Sequence, residues 1–177
     1  MDLLDKIKKT ADLWFPDEQQ INIDKGRAFE KYVAELFTRN EKYFSIVDWT
    51  KDYHNKRDGI KVESNKNPDL LICYKPTNKS FAIECKFKTN PYVNYKRNVS
   101  SIKWGRPDQI KRYNDFSKEN DVPVFIVIGL SGEPSNPERM FCIPLKDARY
   151  SEIFLSVLEK YERNPRAPFF WKDGKLS

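Results

Sequence analysis

Apolar positions change their period several times along this chain, and each change marks an element. Leu3, Leu4, Ile7, Ala11 and Trp14 recur at helical spacing, which predicts a short amphipathic helix over 2–15, stopped by Pro16. The polar PDEQQIN stretch after it reads as a connector. Ala28, Phe29, Tyr32, Val33, Leu36 and Phe37 then form one wide apolar stripe, predicting a helix over 24–39 with Asp24 as its N-cap. Glu30 falls at the edge of that stripe, beside Phe29. Residues 43–50 read as a strand. The next fourteen residues, KDYHNKRDGIKVES, are polar and carry the turn signal Asp58-Gly59. They predict a long loop with a short strand at 60–62, and His54 is an exposed loop residue.

The stretch 67–88, NPDLLICYKPTNKSFAIECKFK, predicts two apolar strands around the turn KPTNK. A symmetric hairpin sets Asp69 opposite Lys86 and Leu71 opposite Glu84. Strand alternation puts Phe81, Ile83, Cys85 and Phe87 on one face and Ala82, Glu84 and Lys86 on the other. The second face starts small and ends charged, as a cleft does. Asp69, Glu84 and Lys86 gather at the open end of the hairpin, with Cys85 turned into the core.

Residues 88–104 read as a loop, and 107–118 as a helix with Pro107 in its first turn. The β-branched run 122–129 predicts a strand buried on both faces. SGEPSNPER is a turn-rich loop and MFCIPL a further strand. Ile153, Phe154, Val157, Leu158 and Tyr161 predict a final amphipathic helix over 151–162, and the Phe169-Phe170-Trp171 cluster of the tail is expected to pack back on the domain or on a partner. The sum is a single α/β domain of 177 residues with a mixed central sheet flanked by helices.

Composition narrows the chemistry. No apolar run is long enough to span a membrane, and MDLLDKIKK lacks the basic start of a signal peptide, so the chain reads as intracellular. Its three cysteines lie in apolar strand-like runs without a CxxC pair, which argues for reduced buried thiols rather than structural zinc or an iron–sulfur cluster. With a single histidine, multi-histidine metal sites are excluded, and any hydrolysis must run on carboxylates and lysine. The net charge of +6 favours an anionic partner, nucleic acid before membrane. Lys88, Lys96, Arg97, Lys103 and Arg106 are interleaved with Tyr92, Tyr95 and Trp104, and Lys111 and Arg112 continue the series. Cations for phosphates and flat rings for bases make these the candidate nucleic-acid-binding residues.

Acid-x-Lys triplets alone are cheap in so charged a chain, and Asp173-Gly174-Lys175 is a chance example. Glu84-Cys85-Lys86 differs by its context. Pro68-Asp69, fourteen residues, then Glu84-Cys85-Lys86, after a helix GRAFEKYVAELF bearing Glu30, resembles the PD-(D/E)xK nuclease superfamily over roughly residues 25–130. Gln109-x-x-x-Tyr113 is similar to an accessory motif of its RecB-like branch. The resemblance implies a restriction-endonuclease-like αβββαβ core and Mg²⁺- or Mn²⁺-dependent cleavage of DNA. Asp69 and Glu84 would be the main metal ligands, with the Cys85 carbonyl as a third and Glu30 joining directly or through water. Hard oxygen donors suit those ions. Lys86 would orient or deprotonate the attacking water, or act only as a cation, and Gln109 and Tyr113 would position substrate or water. Cutting both strands suggests a homodimer or sequential nicking. The alternative is a non-catalytic nucleic-acid-binding or interaction module that keeps the fold.

Overall fold

A computed structural model describes residues 18–50, 67–96 and 98–177. The helix expected over 2–15, His54 and the strand expected at 60–62 lie outside these residues. The first described helix, α1 (Glu18–Thr38), buries Phe29, Tyr32, Val33, Ala34, Leu36 and Phe37. It begins earlier than the apolar stripe predicts. The connector is part of the helix, and Asp24 is an interior residue that accepts a 2.9 Å bond from Gln20 Nε2 instead of capping. Ala28, expected in the stripe, is exposed.

The main sheet contains β1 (Phe44–Trp49), β2 (Leu70–Tyr74), β3 (Lys79–Lys88), β6 (Val124–Glu133), β7 (Asn136–Pro144) and β9 (Glu162–Arg163), in the order β1-β2-β3-β6-β7-β9. Among the described residues, only β3 and β6 pair in parallel. The crossover between them carries β4 (Tyr92–Asn94), β5 (Val99–Lys103) and helix α2 (Pro107–Asn120). In chain order α1, β1, β2, β3, α2 and β6 give the αβββαβ sequence of elements, in a mixed sheet flanked by helices.

The hairpin register differs from the symmetric one. Leu70 pairs with Ile83 and Leu71 with Ala82, two residues from the expected pairing, because the turn takes only 75–78 and Lys79 already pairs with Tyr74. Asn78, at φ 51°, supplies the left-handed position that closes it. An even slip leaves every side chain on its expected face. The second face is not an open cleft along its length, however. Ala82 is packed in a core layer and Glu84 is 2% exposed.

Two apolar layers sandwich the sheet. Phe81, Ile83, Cys85, Phe125 and Val127 meet α1 and the C-terminal hairpin of β10 (Trp171–Lys172) and β11 (Lys175–Leu176). Phe169 stacks on Phe37 at 4.2 Å and Trp171 on Phe81 at 4.6 Å, so the tail packs back on its own chain. Burying a side chain such as Phe169 contributes about 1.5–3 kcal/mol. On the other face Ala82, Ile126 and Ile128 meet Ile110 and Tyr113 of α2 with Ile102, Trp104 and Ile153.

Three readings of irregular segments change. Residues 88–104 are not a loop, since β4 and β5 form a three-stranded sheet with β8 (Glu152–Phe154). The helix expected over 151–162 is β8, a four-residue helix α3 (Leu155–Leu158) and a 3₁₀ turn (Glu159–Tyr161), with Phe154 and Val157 exposed. Pairing with β5 outcompetes the helical spacing. The loop expected at SGEPSNPER is a continuation of β6 and β7 around a tight turn, Glu133 pairing with Asn136.

Gly129 on β6 fixes where α1 lies. A Cβ there would meet the Phe29 ring at 2.4 Å, so only glycine admits that ring. Gly129→Ala is expected to cost about 1–3 kcal/mol in urea unfolding, because the ring and the helix behind it must move. An unchanged midpoint would show that α1 is not held by this contact. Burial pushes the Cys142 thiol up to about 12 from 9.0, opposed by the Arg163 charge. The folded thiol stays protonated while the unfolded one ionises, so this stability is present below pH 9 and falls as pH rises toward 12. Cys142→Ala should flatten that fall by about 1.4 kcal/mol per pH unit in alkaline unfolding titrations; a parental slope would contradict it.

Candidate functional site

The site lies where β3 outruns β2. The β2–β3 ladder ends at Leu70 and Ile83, whereas β3 continues beside β6 as far as Lys88. Among the described residues, the backbone of β3 beyond Ile83 therefore has no strand on its β2 side. Asp69, the residue just before β2, fills the gap: its Oδ2 accepts a 2.6 Å hydrogen bond from the Cys85 N–H. Asp69 is itself tied to the end of β1, because its carbonyl accepts a 2.9 Å bond from Thr50 N–H. Continuing the register sets Asp69 level with Glu84 rather than Lys86, which corrects the expected pairing.

Glu84 is the buried member of the group. Its Oε1 lies 2.5 Å from Lys86 Nζ, two residues along the same face, while Oε2 is buried with no hydrogen-bond partner. Lys86 keeps 24% of its side chain exposed. Burial pulls its ammonium down, but the charges of Glu84 and Asp69 outweigh that and hold it above the ordinary lysine value. This favours Lys86 as a cation over Lys86 as a base that takes a proton from water. Burial raises the Asp69 carboxyl well above the usual range, with Glu84 and Glu30 acting in the same direction and Lys86 opposing.

Glu30 arrives from α1, one residue after the clamped Phe29, and Tyr113 from α2. Burial, then the charge of Glu84, raises the Tyr113 phenol far above its ordinary value, so it stays a neutral hydroxyl. Gln109, one turn earlier, uses its Oε1 to accept the Arg106 N–H at 3.1 Å and so caps α2. The amide nitrogen is what it can offer a substrate. Glu30, Asp69, Glu84, Lys86, Gln109 and Tyr113 all line one cavity of about 610 Å³. The Cys85 thiol is buried in the α1-side core, so Cys85 can offer a metal only its carbonyl.

The nucleic-acid candidates divide. Lys88, Arg106 and Arg112 line the cavity, and Arg112 Nε is buried without a hydrogen-bond partner. Tyr92 and Lys103 belong to the three-stranded sheet, and Tyr95 and Lys96 to the turn within it. Trp104 is not a stacking surface. It is 2% exposed in the core, with its indole N–H donated to the Tyr150 carbonyl at 2.7 Å. Lys111 is paired with Asp115 at 2.5 Å on the exposed side of α2 and does not line the cavity, and Arg97 lies outside the described residues. Lys25 and Arg27 of α1 also line the cavity and were missed. For Arg27, the spacing of three residues before Glu30 on one helix is the signal that could have found it; Lys25, five residues before, has no such signal.

Among the described residues, no group of three or more His, Cys, Asp or Glu side chains is assembled as a metal cage. The donor set nonetheless suits a hard divalent cation. Glu30, Asp69 and Glu84 line the same cavity, and the charges of Glu84 and Glu30 act on Asp69.

No family model matches the sequence, and no curated protein matches it. Among solved structures the chain is similar to Hjc of Archaeoglobus fulgidus, a Holliday junction resolvase from an archaeal hyperthermophile. The identity is 17% and the TM-score 0.47, covering 77% of this chain and 88% of that one. No helix among the described residues is long and apolar enough to cross a membrane.

The Glu84–Lys86 pair is asymmetric, and stability should report it. Lys86→Met leaves a carboxylate buried without its counter-charge and is expected to cost about 3–5 kcal/mol in urea unfolding. Glu84→Gln leaves a cation that reaches water and should cost about 1 kcal/mol. The reverse order would mean that Glu84 is not the buried partner.

Proposed function

We propose that this cavity hydrolyses phosphodiester bonds of DNA with the help of Mg²⁺ or Mn²⁺, as a nuclease of the PD-(D/E)xK type. The observation that carries the reading is that Glu30, Asp69, Glu84 and Lys86 line one cavity, with Glu84 buried and the charges of Glu84 and Glu30 acting on Asp69. Asp69, Glu84 and the Cys85 carbonyl would hold the cation, with Glu30 direct or through water. When bound, it supplies Lewis-acid polarisation of the phosphate and acidifies water.

The chain's own groups do the rest. Lys86, held as a cation, neutralises the phosphate and orients the water. Arg112 and Lys88 hold the flanking phosphates, and Arg106 extends that contact outward. Tyr113 presents a neutral hydroxyl, and the Gln109 amide positions the strand. The hydrogen bond from Cys85 N–H fixes Asp69, so the carboxylates meet a substrate preorganised. One chain carries one site. Cutting both strands of a duplex therefore takes a homodimer or two successive nicks.

The test is incubation of closed circular, linear, single-stranded and branched DNA with Mg²⁺, Mn²⁺ or EDTA. Metal-dependent nicking of closed circles is expected, with Glu84→Gln, Asp69→Asn and Lys86→Ala each losing roughly 100-fold or more. Mg²⁺ should also raise the melting temperature of the parent and not that of Glu84→Gln. Parental cutting by Glu84→Gln, or equal Mg²⁺ stabilisation of both proteins, refutes the assignment.

A further inference from the structure

The three-stranded sheet of β4, β5 and β8 has two unlike faces. Ile102 and Ile153 pair across β5 and β8 and are buried in the core. On the opposite face Tyr92, Ser101 and Phe154 form one cross-strand row, because Tyr92 pairs with Ser101 and Ser101 with Phe154. Tyr92 is 62% and Phe154 52% exposed, while Ser101 between them is buried. A small residue thus floors a slot of about 340 Å³ between two aromatic walls. Its polar rim is Asn94 and Glu152, and the Ser101 hydroxyl donates to Glu152 Oε1.

The slot is joined to the cavity by cations. Lys88 ends β3, lines the cavity, and lies close enough to Lys86 and Lys103 for their charges to add to burial in pushing its ammonium down. Lys103 shares the slot's face, two residues after Ser101. A second copy of this chain is a poor occupant. A two-fold contact would set Lys88, Lys96 and Lys103 against their own copies. A polyanion carrying flat rings satisfies both features.

We propose that this slot binds an unpaired nucleobase of a single strand, stacked on Tyr92 and Phe154 with its polar edge on Asn94 and Glu152, while Lys103 and Lys88 lead its phosphates to the cavity. The substrate class is then DNA with an unpaired strand beside the cleaved bond. The proposal rests on the nuclease reading only for the cleavage that comes after binding, and its test needs no cleavage.

Anisotropy of a labelled single-stranded oligonucleotide and of its duplex is measured in EDTA. Tyr92→Ala/Phe154→Ala should weaken single-strand binding at least about fivefold and leave duplex binding unchanged. Tyr92→Trp, which restores a ring, should bind as the parent does, and so should Phe170→Ala, which removes an exposed ring from the C-terminal hairpin. Unchanged single-strand binding, or equal loss for duplex, overturns the slot. So does a parent dimer that the double variant converts to monomer, because the face is then a contact between copies. A slot that fails while Glu84-dependent cleavage persists leaves the nuclease assignment standing, and the converse outcome leaves the slot.

Discussion

The hydrogen bond from Cys85 N–H to Asp69 Oδ2 is the constraint on which the candidate site depends. A sheet strand that outruns its neighbour exposes backbone donors, and a buried donor left unpaired costs free energy. Here the missing strand is replaced by one carboxylate. The same geometry that repairs the ladder brings Asp69 level with Glu84 and opens the β3 edge to α1 and α2. The site is thus not added to the sheet; it is the place where the sheet stops pairing with itself. Thr50 and Pro68 reinforce it, since the Thr50 N–H and hydroxyl hold the Asp69 and Pro68 carbonyls.

Burying carboxylates this closely runs against their solvation. Lys86 sits in direct contact with Glu84, and its charge is shared between Glu84 and Asp69. The arrangement is held from outside by packing. Phe29 against Gly129 and Phe87 fixes α1 and so Glu30, while Ile110 and Tyr113 seat α2 over Glu84. Both helices press on β3 and β6, which are buried along their central stretches, 81–85 and 124–130. A rigid apolar frame lets the polar groups stay close in a geometry that they would not choose alone.

Where the sequence was readable, a period carried the information. The α1 stripe and β3 repeat their apolar residues over a helix turn or a strand pleat, and β6 begins as one unbroken apolar run. The hairpin survived a wrong register because the slip was even: Glu84 and Lys86 kept their face, and only the opposite residue changed. The three-stranded sheet was not readable. Its strands are three to five residues long, and β5 pairs with β8 some fifty residues away, so no local pattern announces it. Residues 151–162 show how a correct spacing can mislead. Ile153 and Leu158 are buried, as a helix would have them, but through a strand and a short turn. Trp104 failed for a related reason. Its aromatic, basic neighbourhood reads as a binding surface, and only the fold reveals the Tyr150 carbonyl that claims its indole N–H.

These unreadable parts bear on function more than the readable ones do. In the proposed reading the acid and lysine motif carries the reaction, and the frame around it is shared by any chain that must bury the same strands. Choice of substrate needs surface that the frame does not provide. The insertion between β3 and α2 adds such a surface to the fold by leaving the main sheet, recruiting β8 from far along the chain, and turning Ile102 and Ile153 inward. That fold-back is what exposes Tyr92 and Phe154 on one face, and it begins at Lys88, the residue that ends β3. A chain that merely needed to connect β3 to α2 could have done so with a few polar residues. Building a second sheet there sets an outward aromatic row, with Lys103 near Lys88, beside the edge of β3 where Asp69 and Glu84 line the cavity, which is the physical link that the proposed strand recognition uses.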